Sequence, residues 1–158
     1  MAETLGSLVD KLSIKCIREH FLKKMREEEN KKFTNEEIDE RLDLLVSQKE
    51  QLFGEVQDFI VLASEGKIPL REEKLKMYNK IEDVGKIGGA DTVAKAIDGL
   101  VSKNLEIWNL EDQARREDVD AAFIGGIKRK IDPANQQRND FIDRVDELLD
   151  GILNKRDL

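Results

Sequence analysis

From residue 38 to residue 63 the chain keeps one rhythm: Ile38, Leu42, Leu45, Lys49, Leu52, Val56, Phe59 and Ala63 follow at steps of four and three. That alternation matches the 3.6-residue turn of an α-helix and no strand. A second segment keeps it longer, through Ile124, Ile127, Ile131, Ala134, Arg138, Phe141, Val145, Leu148 and Ile152. No long run alternates apolar and polar with period two, so strands are not expected. Long amphipathic helices must cover one another's apolar stripes.

Four long helices are predicted, over residues 4–29, 34–63, 91–116 and 119–153, with a short one over 71–84 carrying Leu75, Tyr78 and Ile81 on one face. Thr34 and Glu37 are spaced as a capping box, and Gly66 and Pro69 close the second helix. Asp91 is a plausible cap for the third. In the last helix the stretch "DPANQQRND" (132–140) is polar and contains Pro133, yet the apolar phase passes through it unshifted. One helix kinked near Pro133 is expected, against the competing reading of a new helix with Asp132 at its cap and Pro133 at its first position. Short links favour antiparallel neighbours. The expected fold is all-α: one domain over 1–158, an up-down four-helix bundle with a short extra helix between the second and third long ones.

Charged residues make up 39% of the chain and aromatics 5%, which suits long solvated helices better than a sheet. The net charge of −7 repels phosphate backbones, so nucleic acid is not expected as a partner. No run approaches the roughly 18 apolar residues of a membrane span, and the start lacks the pattern of a secretory signal. Cys16 is the single cysteine, so no intrachain disulfide forms and a cytoplasmic setting is expected. His20 is the single histidine, which excludes the Glu-x-x-His pairs of di-iron bundles, HExxH zinc sites and Cys/His zinc clusters. No metal or other cofactor is expected. Cys16 and His20 lie one turn apart on a broad apolar face and read as core packing rather than a reactive dyad.

Charges inside apolar stripes are the informative residues. At about 100° per residue, Glu111, Asp112 and Arg115 share an arc with Ile97, Val101 and Trp108, and Asn104 joins them. Arg138 and Lys49 take seam positions, Asn135 lies one turn from Arg138, and Asp10 sits beside Ile14, Ile17 and Phe21, with Lys11, Lys15 and Arg18 facing water. Asp10, Glu111 and Asp112 balance Lys49, Arg115 and Arg138, and a balanced set closes on itself as ion pairs where a divalent metal needs surplus carboxylate. Two polar layers follow. The upper one holds Trp108, Glu111, Asp112 and Arg115, with ion pairs at i,i+4 and i,i+3. The lower one holds Asp10, Lys49, Asn135 and Arg138, with Arg138 roughly 30 Å below the last inter-helix turn. The rows Glu36, Glu37, Glu40 and Asp140, Asp143, Glu147 read as solvated surface. Trp108 reads as a core anchor, and Gly125–Gly126 as a close helix approach or a frayed first turn.

Three stretches carry a resemblance: "LGSLVDKLSIKCIR" (5–18), "EIWNLEDQARRED" (106–118) and "IKRKIDPANQQRNDFIDRVDELL" (127–149). Together they resemble an uncharacterised bacterial all-helical family, a domain of unknown function. Its pattern is a Leu-[Val/Ile]-Asp-Lys-[Leu/Ile] start, a Trp-x-x-Glu-Asp-x-x-Arg helix and an Asn-Gln-x-Arg-Asn-Asp motif. The resemblance implies a helical fold and emphasises Asp10, Lys11, Trp108, Glu111, Asp112, Arg115, Asn135, Arg138, Asn139 and Asp140. It implies no reaction, and Pro133 departs from its pattern. The first functional reading is a non-catalytic helical interaction or scaffold protein, binding a protein partner or self-associating through a bundle face, with both layers closed and no catalytic residue assigned. The alternative is a binder or hydrolase of a small anionic, phosphorylated ligand held by Arg138, Lys49 and Arg115, which requires an open pocket lined by one of the layers.

Overall fold

The computed structural model describes residues 3–71 and 89–154. They form α1 (Leu5–Arg26), α2 (Asn35–Ser64), α3 (Val93–Ala114) and α4 (Ala121–Asn154), with no strand among the described residues. The short helix expected over 71–84 lies, apart from Arg71, outside them.

Local chemistry sets the ends. Thr4 caps α1 by accepting from Ser7 N at 3.2 Å, and Thr4 N in turn donates to Ser7 Oγ at 2.9 Å, a capping box with serine at N3. Thr34 accepts from Glu37 N at 3.2 Å. Thr92, not Asp91, caps α3, accepting from Lys95 N at 3.2 Å, while Asp91 pairs with Lys95 Nζ at 3.0 Å. Asp120 caps α4 through Phe123 N at 2.8 Å. After α2, Gly66 turns at φ 71°, Lys67 N reaches Leu62 O at 2.9 Å and Gly66 N reaches Ala63 O at 3.1 Å. These two bonds are the Schellman closure that a left-handed residue permits. α4 is one helix with Pro133 inside it. The missing proline donor is tolerated because the adjacent Ala134 is buried against Ile107, Leu110 and Ile127.

Pairings fix the topology. Leu8 packs with Leu52 and Phe59, and Arg26 bonds Asp39, so α1 and α2 are antiparallel. Val145 meets Ala96 and Ala134 meets Ile107, so α3 and α4 are antiparallel. Leu5 lies with Val93 and Ile97 while Phe21 stacks on Trp108, so α1 and α3 run the same way. The order is up, down, up, down. α1 is the hub that touches every other helix, and it is the only described helix against which α2 packs.

The helix faces differ from expectation in one instructive way. α3 buries Ala96, Leu100, Asn104, Ile107 and Leu110, whereas Val101 and Leu105 are 40% and 41% exposed. The buried arc is carried by Leu100, Ile107 and Leu110 with Ala96 and Asn104 between them, offset from the arc of Ile97, Val101 and Trp108 that was expected. The Phe141 ring fills the space where a Cβ of Gly99 would stand. Gly6 is the second close approach, its absent Cβ position overlapping Ile142 O. Gly125 and Gly126 are not such a point: a Cβ at Gly126 meets nothing within 4 Å, and at Gly125 only Arg129 Nη2 at 3.6 Å. No helix among the described residues is long and apolar enough to cross a membrane.

Candidate functional site

Helical angle carries Asp10 to the side of α1 that meets α3 and α4, where it is buried. Asn104 Nδ2 donates to Asp10 Oδ1 at 2.9 Å and to Ser13 Oγ at 3.0 Å. Arg138 Nε lies 3.7 Å from the same Oδ1, an ion-pair contact too long for a hydrogen bond, and Nε makes no hydrogen bond. The remainder of Arg138 lines a cavity of about 210 Å³ with Arg18, Asn104, Trp108 and Glu111.

Several expected placements change here. Lys49 does not join Asp10. It pairs with Glu19 at 3.2 Å, because its side of α2 faces α1, the only described helix against which α2 packs. Asn135 is half-buried, and Asn104 is the amide that serves Asp10. Among the described residues no ion pair joins Arg115 to Glu111 or Asp112, and Asp112 and Arg115 are exposed at the end of α3. The two layers also meet. With Phe141 opposite Gly99, Arg138 is level with residue 102, about 14 Å below Glu111 along the axis, and one cavity touches both. Counting down from the inter-helix turn exaggerated the separation, since α4 begins beyond the end of α3. Of the other residues the resemblance emphasises, Lys11 is exposed and bonded to Glu3, Asn139 is exposed and Asp140 half-buried.

The larger concavity is a groove of about 600 Å³ where α1, the α1–α2 turn, α2 and the end of α3 converge. Its wall is apolar: Phe21, Leu22, Met25, Phe33, Leu45 and Trp108. Phe21 and Trp108 stack with centroids 5.2 Å apart and planes 13° from parallel. Five cations surround it, Lys15, Arg18, Lys32, Arg41 and Arg115, against one carboxylate, Asp112. None of the five has an ion-pair partner among the described residues. Elsewhere on the surface Lys11, Lys95, Lys103 and Arg116 each have one. Arg41 sits 4.0 Å and Lys32 5.4 Å over the Phe33 ring, contacts that leave their donors open. The Lys15 ammonium is held below the usual lysine range, first by burial and then by the neighbouring Arg18. Arg18 and Trp108 line both groove and cavity.

Sequence reasoning reached Trp108, Asp112 and Arg115 but missed Lys15, Arg18, Lys32 and Arg41. The available signal was "KKF" at 31–33 in the link between two helices, where Lys31 serves the end of α1 by donating to Arg26 O at 3.0 Å while Lys32 and Phe33 are left to the groove. It also missed Asp146 and Asp150, both buried. Asp146 Oδ1 accepts from Gly6 N at 2.8 Å, a carboxylate on the positive end of α1. The three-against-three balance was therefore incomplete. Among the described residues no three His, Cys, Asp or Glu side chains converge as metal ligands. Cys16 and His20 are exposed rather than in the core, and line an apolar groove of about 550 Å³ between α1 and α3.

Residues 94–157 match the model of a family described as a protein of unknown function (DUF4254). The matched stretch takes in α3 and α4, with Asn104, Trp108, Arg115 and Arg138, and leaves residues 5–18 outside. No curated protein and no solved structure matches the chain.

Proposed function

We propose that this protein binds a small anionic ligand with a ring or acyl body in the groove between α1, α2 and the end of α3. One observation supports the reading: five cations without an ion-pair partner among the described residues surround an aromatic wall in a chain whose net charge is −7. Such cations repel one another, and an anion relieves that repulsion while guanidinium forks suit phosphate or carboxylate oxygens. The apolar wall accepts the uncharged part of the ligand, the usual composition of a small-molecule pocket.

Trp108 is the single tryptophan and lines the groove, so intrinsic fluorescence reports occupancy directly. The probes are inorganic phosphate, adenosine monophosphate, a hexose phosphate and a medium-chain fatty acid. The expected result is a saturable change with at least one ring- or chain-bearing anion, competed by phosphate, with a dose-dependent rise in melting temperature. Arg18→Glu with Arg115→Glu abolishes both. A flat response across the panel, or one that survives the double substitution, refutes the proposal.

A further inference from the structure

α2 carries two apolar seams. Ile38, Leu45, Leu52 and Phe59 are buried. Val46, Phe53 and Ile60 recur at the same seven-residue spacing but are 54%, 46% and 49% exposed. Half-buried Leu42, Val56 and Ala63 lie between the seams together with Lys49, whose ammonium is drawn to Glu19, so apolar surface crossed once by the Lys49 side chain continues outward over residues 42–63, about 31 Å of helix. Three heptads of this kind match the footprint of a docked helix. Val46 lies about 200° around from Leu44 and Gln48, which line the cationic groove. The two surfaces are separate.

Charge selects the occupant. α2 holds eight carboxylates and two cations, Arg41 and Lys49. Both cations are turned away from the outer seam, Lys49 to Glu19 and Arg41 to the Phe33 ring. Beyond Lys49 the outward arc of α2 itself bears carboxylates, with Asp43 and Glu50 beside Val46 and Phe53, while Arg26 of α1 pairs with Asp39 at its N-terminal end. A second copy would set this acidic helix against itself, and an anionic bilayer would be repelled. We infer that the outer face of α2 docks an amphipathic helix with basic flanks, supplied by a partner protein. The inference is independent of the anion groove.

The probe is a labelled leucine–lysine peptide about three heptads long, patterned at the helical period, and the readout is fluorescence anisotropy. The expected result is saturable binding that weakens as salt rises, and a leucine–glutamate peptide of the same pattern binding at least about tenfold more weakly. Phe53→Ser and Ile60→Ser each weaken the leucine–lysine complex about tenfold and leave the melting temperature unchanged, because both side chains are already half exposed. Unaltered binding by either variant overturns the inference, as does equal binding of the acidic peptide. Sedimentation showing a wild-type dimer that Phe53→Ser dissolves also overturns it, by assigning the face to a second copy.

Discussion

Asn104→Ala removes two hydrogen bonds from the junction of α1, α3 and α4: the bond to Asp10 Oδ1 at 2.9 Å and the bond to Ser13 Oγ at 3.0 Å. A hydrogen bond to a charged acceptor contributes about 1.5–3 kcal/mol and a neutral one about 1 kcal/mol. Some of that returns, because Arg138 Nε stands 3.7 Å from the stranded carboxylate with no hydrogen bond of its own and is free to close. The expected net loss is about 2–3 kcal/mol, or about 5–10 °C in melting temperature for a chain of this size. Urea melts followed by far-ultraviolet circular dichroism measure it, with an unchanged m-value showing that stability alone moved. Asp10→Ala and the double variant complete a cycle with a coupling of at least about 1 kcal/mol. A loss for Asn104→Ala within about 0.5 kcal/mol, the range of ordinary surface substitutions, would mean that Asp10 is solvated. Strict additivity would mean that the two side chains do not interact.

Gly99→Ala puts a methyl group into the Phe141 ring and should cost about 1–3 kcal/mol in the same melts, with Phe141→Leu restoring part of the loss. Gly6→Ala meets the Ile142 carbonyl oxygen, which has no side-chain remedy, so no substitution at position 142 should rescue it. The Glu19 carboxyl is held below its ordinary range by Lys23 and then Lys49. A depressed carboxyl contributes stability above its unfolded pKa and loses it as pH falls through the folded value. Lys49→Met should therefore cost about 0.5–1 kcal/mol at neutral pH and less in acid, seen as a shallower acid limb in melting temperature against pH. Lys15 gives the same slope in the alkaline range for the opposite reason: its lowered pKa means the charged form is disfavoured on folding, so stability rises with pH between the folded and unfolded values. Lys15→Met should remove that alkaline rise and weaken anion binding in the Trp108 titration.

Periodicity made the four helices legible because each must hide one stripe, and a stripe shows in a single segment. The seam of α2 and the unbroken phase across Pro133 are of this kind, and both elements are where the spacing puts them. The face of α3 was legible only in part, because that helix is apolar on two arcs. Ile97, Val101 and Leu105 outweigh Ala96 and Gly99 in side-chain size, yet the small pair is what lets α4 and its Phe141 approach. Size within one helix does not reveal how close the neighbour comes. The buried Asp146 illustrates the same limit, since its partner, Gly6 N, is 140 residues away and belongs to the backbone.

The groove was hidden for a related reason. Lys15 and Arg18 lie off the apolar stripe of α1, as their angles require, but outward on one helix is not outward in the fold. Lys32 and Phe33 bring the α1–α2 turn over that flank, Arg41 and Leu45 add α2, and Trp108, Asp112 and Arg115 close it from α3. Each cation taken on its own helix is an ordinary solvated side chain. Only the crossing of three elements leaves five of them around one aromatic wall with a single carboxylate. Burial first, and then the neighbouring Arg18, hold the Lys15 ammonium below the usual lysine range, so its charge is carried there at a cost. A chain with 34 acidic residues against 27 basic ones has ample carboxylate to neutralise such a patch, yet among the described residues only Asp112 lines it, which favours a negative charge brought by a ligand.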